Sequence, residues 1–143
     1  MKPLKQFEEY LKLGIVKKQS PDISRAKSLM KEAEDSHNFL KQIIEKIGVL
    51  DNNSNDIIKI SYDVIMSLIR AKMLSKGFNS SGYGAHEAEV SYLRVLKTSE
   101  NDIEFINQLR YFRNGIMYYG KRFNSEYAEK VIKFLEEFKN KIN

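Results

Sequence analysis

Cysteine is absent from the chain. Disulfides, Cys-ligated zinc and thiol catalysis are therefore excluded, and a reducing compartment is the natural setting. Histidine is nearly absent too. His37 and His86 are the two present, no HExxH pair occurs, and a zinc site has little to build on. Two prolines and seven glycines leave little to interrupt helices. No apolar run approaches the ~20 residues that span a bilayer. The chain opens Met1-Lys2-Pro3-Leu4 and turns acidic at Glu8-Glu9, without the apolar stretch of a signal peptide. Gly82 and Gly84 are not followed by Gly-Lys-Ser/Thr, so they form no phosphate loop, and no serine sits in a nucleophile elbow. Nothing alternates with a sustained period of two, so no strand is expected. Together these features predict a cytoplasmic protein with no membrane span, no metal and no cofactor.

What remains is helix-forming. The chain has 143 residues, 42% apolar and 30% charged, which suits one globular domain over 1–143 with a core of its own. The spacing predicts a short helix from Phe7 to Val16. Ser20 then caps a long second helix, with Pro21 at its first position, running to about Ile47 and ending at Gly48. Its stripe is Ile23, Ala26, Met30, Ala33, His37, Leu40, Ile44 and Ile47, spaced alternately by three and four. On that stripe His37 reads as a core or interface histidine, and Met30, like Met73 further on, as packing. A third helix, from about Asp56 to Lys76, has so wide an apolar face that it belongs at the centre. A glycine-rich loop from Gly77 to Gly84 leads to a fourth helix from Ala85 to about Leu96. A fifth, from about Asp102 to Tyr118, sets Phe105, Leu109, Phe112, Ile116 and Tyr119 on one face, and Gly120 ends it. Asn124 caps the last helix, with Tyr127, Val131, Leu135 and Phe138 facing inward. The fold class is all-α: an up-and-down antiparallel bundle of five to six helices.

One stretch combines charge and rings. Phe105 to Ser125 holds four basic residues (Arg110, Arg113, Lys121, Arg122), six aromatics and no acid. The net charge of +5 leaves room for an acidic partner. Positive charge interleaved with rings suits phosphate contact plus base stacking. Arg110 and Arg113 lie three apart and Asn114 and Tyr118 four apart, so each pair shares a helix face. Core packing accounts for Phe105, Leu109, Phe112, Ile116 and Tyr119. It does not account for Arg113 and Asn114, which serve either as a hydrogen-bonding pair at a helix end or as a site.

The segment Arg113-Asn114-Gly115-Ile116-Met117-Tyr118 resembles the signature of the HEPN family (higher eukaryotes and prokaryotes nucleotide-binding): Arg, often Asn, a short spacer, then His. Upstream, the run from Ser67 to Leu74, then Lys76-Gly77-Phe78, then Gly84-Ala85-His86-Glu87-Ala88, is similar to that family's central helix and glycine loop. The run from Pro21 to Leu29 resembles the start of its long second helix. The resemblance covers most of the chain. It implies a bundle that usually dimerises, with the motifs of two protomers facing one cleft. Catalytic members are metal-independent ribonucleases whose motif Arg and His act on the phosphodiester. Many small prokaryotic members form toxin–antitoxin pairs with a small nucleotidyltransferase, which in some cases adenylylates a tyrosine just after the motif histidine.

By that resemblance the catalytic candidates are Arg113 and Tyr118, and the binding candidates are Arg110, Asn114, Tyr119, Lys121 and His86. The chain departs from the pattern at Tyr118, which occupies the histidine position. A phenol with pKa near ~10 is a poor general base at neutral pH, though it can donate a hydrogen bond or stack. The family's target tyrosine would fall on Gly120, with Tyr118 and Tyr119 the nearest substitutes. His86, beside the glycine loop, is most simply a histidine satisfying a loop carbonyl; its functional reading is as the imidazole the motif lacks. Two functions are expected. One is an RNA- or nucleotide-associated member of a toxin–antitoxin pair with a nucleotidyltransferase, acting as a metal-independent ribonuclease. The other is a non-catalytic dimeric module that binds the nucleotidyltransferase; a purely structural bundle, with no ligand and no partner, is the remaining alternative.

Overall fold

The computed structural model describes residues 3–142; Met1 and Lys2 of the charged opening, and Asn143, lie outside them. Six helices form the expected all-α bundle: α1 (Phe7–Lys12), α2 (Ile23–Lys46), α3 (Ser54–Ser75), α4 (Ala85–Val95), α5 (Glu100–Tyr119) and α6 (Ser125–Ile142). A single 3₁₀ turn, Asp51–Asn53, leads into α3. As its wide apolar face predicts, α3 is central and packs against α2, α4, α5 and α6. Ile57, Ile58, Tyr62, Ile65, Ile69, Met73 and Leu74 on it are fully buried. One contiguous core runs from Phe7 through α3 to Phe138. Each fully buried aliphatic chain contributes about 1.5–3 kcal/mol, so α3 supplies much of the driving force.

The connections differ from the sequence expectation in three places. The first helix stops at Lys12, short of Val16, because Gly14 turns the chain at φ 75°. Val16 then enters a strand, β1 (Val16–Lys18), which pairs antiparallel with β2 (Phe78–Ser80) inside the expected loop. Val16 faces Ser80 and Lys18 faces Phe78. Strands of three residues are too short to show alternation, and their pairing is non-local, so no period reveals them. Third, Asp22 and not Ser20 caps α2: its carboxylate accepts from Arg25 N–H at 3.0 Å. Residues 19–22 are held along the end of α3 by Gln19 N–H to Gly77 O and Asp22 N–H to Leu74 O, each 2.9 Å, so the helix starts only after them.

Other caps agree with expectation. Gly120 closes α5 at φ 64°, and Asn124 accepts from Tyr127 N–H at 3.0 Å to start α6. On α2, Ile23 and Ile47 at the ends of the stripe and Met30, expected as packing, are exposed, while Ala26, Ala33, His37 and Leu40 are buried. On α5, Leu109 is buried and Phe105, Phe112 and Ile116 half-buried. Tyr119, expected to face inward, is 80% exposed. The last turn of α5 overhangs the core, and residues 117–120 are all exposed.

Candidate functional site

The second half of α5 presents two differently built surfaces. Arg113 and Tyr118 are five positions apart, which at ~100° per residue sets them ~140° apart around the helix. The structure accordingly places them in separate cavities.

Arg113 belongs with Arg110 to a charged cluster where α3, α4 and α5 meet. Tyr62 and Arg70 come from α3, His86 and Glu89 from α4. The Arg113 guanidinium lies over the Tyr62 ring, 5.6 Å from its centroid, a cation–π contact. The Tyr62 hydroxyl shares a hydrogen bond of 3.2 Å with His86 Nδ1. Arg70 grips the buried Glu89 carboxylate bidentately at 2.9 Å, and Ser80 Oγ also donates to it. Glu89 is thereby neutralised by Arg70, which leaves Arg110 and Arg113 loosely held. Arg110 Nε donates to Asn107 Oδ1 at 3.1 Å, and its Nη1 lies 3.7 Å from Glu87. Arg113 Nη2 lies 3.9 Å from Asp63, beyond hydrogen-bond length, and its buried Nε has no partner.

Burial pushes the His86 pKa down. Glu89 opposes that shift, and Arg70, Arg113 and Arg110 add to it. Burial also holds the Tyr62 hydroxyl well above its usual range, so it stays a phenol. The cluster therefore presents a neutral imidazole between guanidinium groups at neutral pH. His86 contacts a tyrosine hydroxyl and not the loop carbonyl that its position suggests.

Tyr118 lies on the other surface. With Asn114, Tyr119 and Lys121 it lines a cleft of about 790 Å³. Tyr83, Tyr111 and Arg122, which the motif reading passes over, complete it, and no acidic residue lines it. The rings are unusually free: Tyr83 is 99%, Tyr119 80%, Tyr118 71% and Tyr111 57% exposed. Phe112 and Phe123 also line the cleft and cluster with Tyr127, the three ring centroids lying 5.0–5.5 Å apart. Gly115 lets the returning chain close in, since a Cβ there would lie 3.0 Å from Lys121 Cγ. The carbonyl end of α5 carries partial negative charge, so any phosphate contact here falls to Lys121 and Arg122 beyond it.

Of the seven candidates, the structure thus groups His86, Arg110 and Arg113 at one place and Asn114, Tyr118, Tyr119 and Lys121 at another. Tyr62, Glu89 and Arg70 join the first group without a local sequence signal, because they reach it from separate helices. Tyr83 did carry one, as a large ring between two glycines of the Gly/Ser-rich loop. Among the described residues, no group of three His, Asp or Glu is placed to hold a metal ion, and no helix is long and apolar enough to cross a membrane. No protein-family model, curated protein or solved structure matches the chain.

Proposed function

We propose that this protein is a HEPN-like RNA- or nucleotide-binding bundle of the cytoplasm, paired with a small nucleotidyltransferase in a toxin–antitoxin system and acting as a metal-independent ribonuclease. The observation that carries the reading is the acid-free cleft at the end of α5, with four exposed tyrosines beside Lys121 and Arg122. Base–aromatic stacking contributes about 1–3 kcal/mol per base and tolerates any sequence, while the cations meet the backbone. Exposed rings on a rigid helix end fit splayed single-stranded bases better than a duplex, whose bases are already stacked.

The chemistry falls to the neighbouring cluster. Phosphodiester cleavage needs a group that moves a proton and cations that meet the charge developing on phosphorus oxygens. A neutral His86 serves the first need, and the loosely held guanidiniums of Arg113 and Arg110 serve the second. Tyr118 then stacks a base and takes no part in proton transfer. The decisive experiment is incubation of purified protein with mixed tRNA and messenger RNA in EDTA. Cleavage is expected from the wild type, and its loss from Arg113→Ala and His86→Ala at unchanged helical content. Unchanged cleavage in Arg113→Ala overturns the catalytic part.

A second reading, the non-catalytic module, is favoured by a different surface. Arg113 and Met117 line a groove of about 560 Å³ with Phe39, Ile43 and Ile60, and Phe39 and Met117 are 55% and 48% exposed. Such apolar exposure fits a protein interface, either with the nucleotidyltransferase or between two protomers. Failure of the protein to self-associate or to bind that partner at micromolar concentration would count against it.

A further inference from the structure

Five helices end on a residue of positive φ. Four of these residues are glycines: Gly14, Gly48, Gly77 and Gly120, after α1, α2, α3 and α5. The fifth, after α4, is Lys97 at φ 62°, the one non-glycine residue in that region among the described residues. The turn is otherwise ordinary. Lys97 N–H donates to Arg94 O and Thr98 N–H to Leu93 O, both at 3.0 Å. Glycine makes these same bonds without steric cost, so the turn itself gives no reason for a lysine.

Lys97 lines a cleft of about 520 Å³ together with three further lysines: Lys72 and Lys76 from the end of α3 and Lys141 from the end of α6. Leu96, Phe138 and Ile142 provide apolar lining. The sole acid in the lining, Asp102, is held by Lys141 at 3.1 Å. Among the described residues no carboxylate pairs with Lys72, Lys76 or Lys97. Lys72 lies in the last turn of α3 and Lys76 is the residue that caps it. Two local preferences are therefore broken at one place: a lysine in a glycine conformation, and three lysines on one cleft without a carboxylate partner. Local rules broken together mark a site whose missing element is a ligand. The missing element here is negative charge.

We propose that this cleft is a second phosphate-binding site, taking the phosphates of an RNA strand or of a free nucleotide at the end of α5 remote from the tyrosine cleft. α5 has 20 residues, so the two places are roughly 30 Å apart, and neither shares a lining residue with the other. The site does not require the tyrosine cleft to bind RNA.

The test uses the whole chain with two probes, a labelled single-stranded RNA of about 16 nucleotides and a nucleoside triphosphate. Each is titrated at several salt concentrations into the wild type, Lys97→Gly, Lys72→Ala/Lys76→Ala and Tyr118→Ala. Lys97→Gly is expected to melt higher than the wild type yet bind more weakly, with a salt slope reduced by about 1. That opposition separates ligand binding from fold. Triphosphate binding lost in the lysine variants marks a free-nucleotide site, and loss confined to RNA marks a backbone contact. Affinity and salt slope unchanged in both lysine variants, or no binding of either probe to the wild type, overturns the proposal. RNA binding lost in Tyr118→Ala alone leaves the tyrosine-cleft reading standing and this one refuted.

Discussion

His37 shows how a single side chain can carry pH sensitivity. It is 1% exposed, and both ring nitrogens are engaged: Nε2 with Glu136 at 2.6 Å and Nδ1 with Lys139 Nζ at 2.8 Å. The neutral ring suits both partners, with Lys139 donating to Nδ1 and Nε2–H donating to Glu136. Burial is the main cause that lowers its pKa. The bond to Glu136 opposes the shift, and Lys139 adds to it. The folded pKa therefore lies below the unfolded value of about 6.5, and the unfolded chain binds the extra proton first on acidification. His86 is shifted in the same direction. Stability is expected to be full above about pH 6.5 and to fall as the pH drops through the folded values. Urea unfolding midpoints at about pH 7.5 and about pH 5 should differ, and His37→Gln should shrink the difference. An equal difference in that variant would show that His37 does not contribute. The helix period placed His37 correctly among buried positions. It could not reveal Glu136 and Lys139, about a hundred residues away. The same limit hid the company of His86.

Among elements, the β1–β2 clip was the least visible and is the most exacting. Gly77, at φ 84°, delivers α3 into β2, and a Cβ there would lie 2.5 Å from the backbone oxygen of Gln19. That oxygen cannot rotate away as a side chain would. Gly77→Ala is expected to cost about 1–3 kcal/mol from conformation alone, with the clash in addition. A melting temperature within a degree or so of the wild type would contradict the clip's role. The helices were legible because each repeats its apolar face over several turns. The strands were not, because three residues hold no repeat. The cap of α2 was misplaced because Ser20-Pro21-Asp22 offers two capping side chains, and contacts with the end of α3 decide between them. On α5, the basic and aromatic composition marked the candidate stretch. Which of its side chains share a cavity depends on rotation about the helix, and so Arg113 and Tyr118, five apart, part company.

The whole molecule is a bundle built around α3 and tied together across distant segments. Apart from α1, the helices either follow one another in sequence or return to α3, and the return of α6 is itself long-range. Val16 likewise meets Ser80 across 64 residues (80 − 16). Closing that span costs chain entropy that a few ladder bonds offset only once α3 and α4 are in place. The tie is extended by Ser81 N–H to Ile15 O at 3.0 Å, two residues before Tyr83. The segment before α2 and the wall of the tyrosine cleft are therefore expected to open as one cooperative unit. In native-state hydrogen exchange, the amides of Gln19 and Ser81 should exchange together and sooner than those of Ile65 and Ile69. If the four exchange at one rate, no such unit exists. Where it does, the N-terminal segment acts as a clasp: its release frees the Tyr83 wall while the bundle beneath stays folded, and the cleft can reshape to its occupant without disturbing the core.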